Sequence, residues 1–431
     1  MSNINIINKC KICKNEDLQK VITLSKQFLS PTFIKSNDES NLKDIQTPLT
    51  LVLCSKTKNK GACGHLQLLE EVNPDLLYRE YFYRSATNDT MKTDLQDVVH
   101  KMINIVKPDN KDFIVDIGSN DSTLLNYYDS NYNLVGFEPA KNIKHIDIGK
   151  NITVINDYFN SQAFNDRFKD QDKAKIITSC AMFYDLSNPH KFVSDIHNIL
   201  HQDGAWCVQI SYLLLMLKNL NFYDICHEHL SYYSLDTFEH LMDQNGLKVF
   251  DAELNNVNGG SIRLYVCKKE NKSYENLENK KRLDLLREDE KKYELDKEMT
   301  FFNFQKTIDS LKKKTNKYVE SFLNNGCKVI ALGASTKGNI LLQHFGLDKT
   351  KIPYISERNP DKVGLRCVGT DIELISEEKA HDLKPNAMLV LPWYFKDEIV
   401  KREKEYLQSG GELFFPMPYP HFVDKDGEHK I

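Results

Sequence analysis

Hydrophobic positions along the chain fall into short blocks bounded by Gly, Pro and Asn, separated by segments with helical spacing. Phe113-Ile-Val-Asp116 reads as a buried strand and Leu134-Val-Gly-Phe137 as a second. Residues 151–159 give a strand and turn, 174–183 a central strand, 189–200 a helix and 204–212 a further strand. Residues 240–251 and 259–267 read as a helix and two late strands. This alternation predicts an α/β domain with a mixed or parallel sheet of about seven strands and helices on both faces. Asn73-Pro74 marks a helix start ahead of it.

Residues 271–325 are dominated by Lys and Glu, with Leu283, Leu286, Phe301, Phe304 and Ile308 as apolar anchors. That pattern predicts a linking pair of helices. A second α/β unit begins at Cys327, with strands expected up to Leu332 and over 352–357, 387–391 and 411–415. The predicted units are therefore 1–72, 73–270, 271–325 and 326–431. A chain of 431 residues exceeds what one core usually serves. Hydrophobic residues at 41% and charged residues at 27% lie in the globular range.

Charge narrows the partners. Lys and Arg number 57 against 61 Asp and Glu, a net of -4, so the chain as a whole is no polyanion binder. No cationic start leads into an apolar run, and the apolar stretch from Ile210 to Leu217 is too short to span a bilayer. A cytoplasmic protein acting on a small molecule, without nucleic-acid or membrane partners, is the expectation. Oligomeric state is not legible.

Four of the ten cysteines lie in the first 63 residues, as Cys10/Cys13 and Cys54/Cys63. A CxxC turn places two sulfurs on one ion. The eight-residue loop between Cys54 and Cys63 can bulge while its ends meet the same ion. Four thiolates predict a structural zinc site that lets a small domain fold without a large core.

After the strand ending in Asp116, Gly118 permits a tight turn, and a helix is expected from Ser122. Glu138, at the end of the next strand and 20 residues past Gly118, is placed to accept hydrogen bonds from ribose hydroxyls. A pyrophosphate wants bare amides and little negative charge. Here one glycine is surrounded by Asp116, Asn120 and Asp121, with Pro139 closing the second strand. Acidic surroundings suit a sulfonium, so S-adenosylmethionine is favoured over a dinucleotide.

Three further clusters carry chemistry. Tyr78 to Thr87 interleaves aromatics with hydroxyls and fits either a pocket wall or interdomain packing. Cys226-His227-Glu228-His229 groups polar side chains that need partners in a core, and Glu228 with a His can move a proton. If extended, the segment would put His227 and His229 on one side and Glu228 opposite. Gly333-Ala-Ser335-Thr-Lys337-Gly-Asn339 offers donors at a helix start, for a phosphate or for plain capping. It lacks the Walker pattern.

Taken in order, these pieces resemble the sugar C-methyltransferases that act on nucleotide-linked deoxyketo sugars. The likeness runs through CxxC, Cys63-Gly-His-Leu-Gln-Leu, Tyr81-Phe-Tyr83-Arg-Ser85, Asp116-Ile-Gly118-Ser-Asn120-Asp121, Gly136-Phe-Glu138-Pro-Ala and His227-Glu-His-Leu-Ser-Tyr232. Asn258-Gly-Gly-Ser261-Ile-Arg263 and the Gly333 to Asn339 run complete it. The resemblance implies a small N-terminal zinc-binding domain, a central class I methyltransferase Rossmann-like domain and a C-terminal Rossmann-like α/β domain. It implies proton transfer at Glu228 and His229, with His227 beside them, and a pocket lined by Tyr83. Cys226, Asn258, Lys337 and Asn339 fall on the acceptor side. Cys226 stands where the family often has Tyr, Asn258 where it commonly has His, and Tyr184-Asp185 where it usually has a His. All three departures fall on the acceptor side, so an O- or N-methyltransferase on a related carbohydrate precursor, or a non-catalytic zinc-containing binding protein, are the alternative readings.

Overall fold

The computed structural model describes residues 4–35, 45–57, 59–79, 81, 83–87, 89–168 and 173–431. Glu80 and Phe82 of the aromatic run, like Asn88 after it, lie outside them. A central sheet has seven strands: β1 (Phe113–Ile117), β2 (Asn133–Phe137), β3 (Thr153–Ile155), β4 (Ala174–Cys180), β5 (Leu200–Ser211), β6 (Leu247–Asn255) and β7 (Ser261–Lys268). Their order is β6-β7-β5-β4-β1-β2-β3. The first five are parallel, and β7 is antiparallel to both β5 and β6. The order turns back at β1 and β4, so a crevice opens beyond their carboxyl ends, where ligands bind in such sheets.

Helix Asp89–Val106 closes one face of this sheet. Its Val98, Val99 and Met102 are fully buried against Ile114 and Ile176. Arg263 on β7 ties the same helix down, bonding Asp94 at 2.8 Å and Asp97 at 2.7 Å from within the core. The helix expected between β1 and β2 is a single 3-10 turn, Leu125–Tyr127. Asn120 and Ser122 take left-handed φ angles of 49° and 67°. The Asp121 carboxylate caps Thr123 instead. A regular helix cannot start through such a kinked approach.

The N-terminal sheet runs Leu18–Phe28, Gln46–Cys54, Leu66–Leu68, and is completed by Ser231–Tyr232 from far along the chain. Helices Leu277–Tyr293 and Glu298–Asn324 form the charged pair. The last sheet has nine strands, of which five parallel ones order as Glu412–Phe415, Ala387–Val390, Val329–Leu332, Tyr354–Glu357 and Glu373–Ser376. Phe33–Ile34 from the N-terminal part adds to its far edge through Arg366–Cys367. The three sheets are thus stitched together by strands exchanged between distant parts of the sequence. Among the described residues no helix is long and apolar enough to cross a membrane.

Candidate active site and thiolate centre

Cys10 and Cys13 flank a tight turn, and Cys54 and Cys63 meet them from the next strand and its loop. The Cys10–Cys63 and Cys13–Cys54 sulfur pairs are 3.5 and 3.4 Å apart, and all four sulfurs lie within 4.8 Å of one another. An ion at zinc–thiolate distance, about 2.3 Å, fits among them. This set of four thiols fits a structural metal site, since four thiolates leave no open position on the ion.

A cavity of about 530 Å³ opens at the carboxyl end of the central sheet. At one end lie Asp116, Gly118, Asn120, Glu138 and Pro139. Gly118 has φ +75°, and an added Cβ would stand 3.2 Å from Met182 Cγ. A bare glycine keeps this floor open. Glu138 accepts hydrogen bonds from the backbone N–H groups of Asn120 and Ala140, both at 2.8 Å. These fix the carboxylate at the rim, though burial raises its pKa. Asp116 is pushed up to about 7 by burial, against the pull of the Thr178 hydroxyl, which donates to it at 2.6 Å. Asp121 lies off the cavity. It accepts from Ala86 N at 2.9 Å, while Asn120 accepts from Ser85 N at 3.1 Å and donates to the Tyr83 carbonyl at 3.2 Å. Asn120 and Asp121 thus fasten the aromatic strap over this end of the cavity. Tyr83 lines the cavity and stays 42% exposed.

Cys226, Glu228, His229, Asn258 and Lys337 line the other end. The extended geometry expected for residues 227–229 is not what forms. The segment bends, Glu228 and His229 face the cavity, and His227 turns away. His227 Nδ1 sits 3.2 Å from Ser30 Oγ, wholly buried. Its backbone is bent because Leu230 N–H bonds the Tyr184 carbonyl at 2.9 Å while Ser231–Tyr232 joins the N-terminal sheet. A catalytic part for His227 has no geometric support. Asn339 also departs from expectation. It is buried under the helix start, donating to the Ser30 and Val368 carbonyls at 3.3 and 3.4 Å, and does not line the cavity.

Burial pushes the Glu228 carboxyl up to about 7, and burial with the Lys337 charge holds His229 well below its ordinary value. The His229 ring packs on Tyr184 with centroids 4.1 Å apart. Lys337 forms a buried ion pair with Asp224 and donates to the Asn258 carbonyl at 3.0 Å, so its charge is spent within the wall. Asp224 was not legible as a site residue, because its partner lies over a hundred positions away with no local pattern. Tyr394 and Thr336 from the C-terminal sheet, and Phe33 from the N-terminal part, complete the wall.

The strand order and the glycine–acid floor define a class I methyltransferase domain. Comparison with known proteins extends that statement over the chain. Residues 10–78 match a zinc binding domain, 88–252 a methyltransferase domain and 256–418 the C-methyltransferase C-terminal domain. The three matches follow one another in order, and the chain is an S-adenosylmethionine-dependent methyltransferase whose last segment is similar to the C-terminal domain of C-methyltransferases. The chain is 25% identical to C-methyltransferase NovU of Streptomyces niveus over 97% of its own length and 98% of that protein. Similar solved structures include an S-adenosylmethionine-dependent methyltransferase from Clostridium acetobutylicum, at 11% identity and TM-score 0.31, covering 42% of this chain and 93% of that one. The plantazolicin methyltransferase BpumL in complex with SAH is another, at 14% identity and TM-score 0.30, covering 40% and 82%.

Proposed function

We propose that this enzyme methylates a carbon beside the ketone of a nucleotide-linked sugar, through an enolate. The observation carrying this reading is one continuous cavity with Gly118 and Glu138 at one end and Glu228 and His229 at the other. The ordered motifs shared with the sugar C-methyltransferases and the similarity to NovU support it. The working units remain 1–72, 73–270, 271–325 and 326–431.

S-adenosylmethionine, when bound, supplies an electrophilic methyl group. Glu138 accepts hydrogen bonds from its ribose, and Gly118 leaves room for close approach. His229, assisted by Glu228, takes the proton from the carbon beside the ketone. The electron pair of that C–H bond delocalises onto the ketone oxygen and would then form the new carbon–carbon bond as the sulfur–methyl bond breaks, its electron pair staying on the departing thioether. Tyr83 positions a sugar oxygen. Lys337, already paired with Asp224, fixes the wall on which Cys226 and Asn258 meet the acceptor.

Incubation of a nucleotide-linked keto sugar in heavy water with S-adenosylhomocysteine isolates the proton step. The wild type should exchange the α proton, and His229→Asn should not. Exchange that continues at the wild-type rate in this variant overturns the assignment of the base.

A further inference from the structure

Removing the α proton leaves negative charge on the ketone oxygen, and a C-methyltransferase acting through an enolate needs a donor there. The obvious candidates on the acceptor wall are unsuited. Cys226 offers a weak thiol donor, and Lys337 is committed to Asp224 and the Asn258 carbonyl. Asp185 remains. It ends the 3-10 turn Phe183–Asp185, just past β4, and lines the same cavity as Glu228 and His229. Its Oδ1 is sealed from solvent and has no hydrogen-bond partner among the described residues. A sealed carboxyl oxygen without a donor disfavours the charged carboxylate, while the rest of the residue faces the cavity.

The turn and the base segment are locked to each other. Asp185 N–H bonds the Met182 carbonyl at 3.0 Å, Leu230 N–H bonds the Tyr184 carbonyl at 2.9 Å, and the Tyr184 ring packs on His229. Tyr78, whose hydroxyl donates to the Glu228 carbonyl at 3.2 Å, lines the same cavity. Asp185 therefore keeps a fixed position relative to the proton-abstracting pair.

Resting on the enolate reading above, we propose that Asp185 acts as a neutral carboxylic acid whose O–H donates a hydrogen bond to the acceptor oxygen as it becomes negative. Its proton stays on Asp185 through the step. The α proton goes to the His229–Glu228 pair, and the carbon lone pair goes to the incoming methyl. Two carboxyls in one dry pocket favour this division, one keeping its proton while the other ionises. Burial, then the nearby Glu228, hold Asp185 far above the usual carboxylate range, against the Tyr78 hydroxyl. Glu228, Cys226, Tyr78, Tyr81, Tyr184 and Tyr232 all interact with this carboxyl, and none carries positive charge. The geometry is that of an apolar site keeping an acid protonated for oxyanion stabilisation.

Asp185→Asn retains an N–H donor of nearly the same shape, and Asp185→Ala retains none. Calorimetric binding of S-adenosylmethionine checks the fold of each. The Ala variant should lose about 100- to 1,000-fold in kcat and in α-proton exchange, with KM changed little. The Asn variant should keep activity within about tenfold of wild type and lose the decline in rate at high pH, since an amide has no proton to give up. Loss in Asn equal to that in Ala shows that an ionised carboxylate is required and overturns the proposal, as does an Ala variant with unchanged exchange. Absence of exchange in the wild type with the whole set of nucleotide-linked keto sugars removes the enolate reading itself, and the proposal with it.

Discussion

At the scale of single residues, the proposed cofactor site rests on Gly118 and Glu138, which line the cavity. Glu138 is held by two backbone N–H groups, which hold its carboxylate at the cavity rim. Glu138→Ala removes a charge-assisted acceptor, each such bond being worth about 1.5–3 kcal/mol. The expected result is a rise of about 10- to 100-fold in the dissociation constant for S-adenosylmethionine by calorimetry. A dissociation constant equal to wild type would remove Glu138 from the ribose site. The spacing from Gly118 to Glu138 was readable because strand, turn and strand leave local signatures. The inward and outward faces of the His-Glu-His run were not readable. Tertiary hydrogen bonds at Leu230 and Ser231 bend that segment, and alternation along an extended chain no longer applies.

At the scale of elements, the thiolate centre and the segment that carries Glu228 and His229 meet on one sheet. Strand Leu66–Leu68 leaves Cys63 directly and pairs with Ser231–Tyr232, Leu68 N–H bonding the Leu230 carbonyl at 3.0 Å. His65 Nε2 also sits 3.2 Å from Ser231 Oγ. Zinc bound by the four thiols anchors the strand that positions Glu228 and His229. Chelation should therefore speed amide hydrogen exchange at both Leu66–Leu68 and 230–232, and lower methyl transfer, while β1 and β4 keep their protection. Unchanged exchange at 230–232 after metal removal would uncouple the two. The pairing joins residues 164 apart or more, so no window of sequence contained it. The CxxC turn, by contrast, announced the metal. The helix Asp89–Val106 has a local signature, with Met91, Leu95, Val98, Val99 and Met102 buried at helical spacing.

At the scale of the whole molecule, the cavity belongs to all three parts of the chain. Asp116, Gly118 and Glu138 come from the central sheet, Phe33 from the N-terminal part, and Ser335 to Lys337 with Tyr394 from the C-terminal sheet. The ion pair of Lys337 with Asp224 and the Asn339 bonds to Ser30 and Val368 hold these walls together. Both Gly-turn units were legible as α/β repeats, and both place their strand ends at the cavity. Strand Glu373–Ser376 and the exchanged strand Phe33–Ile34 were not, being short and paired only through tertiary contacts.

The most direct test of carbon methylation is product analysis with S-adenosylmethionine carrying a carbon-13 methyl group, offered with nucleotide-linked keto sugars. The account predicts a methyl resonance coupled to a quaternary or tertiary sugar carbon adjacent to the retained ketone. A labelled methyl bonded to oxygen or nitrogen would contradict it.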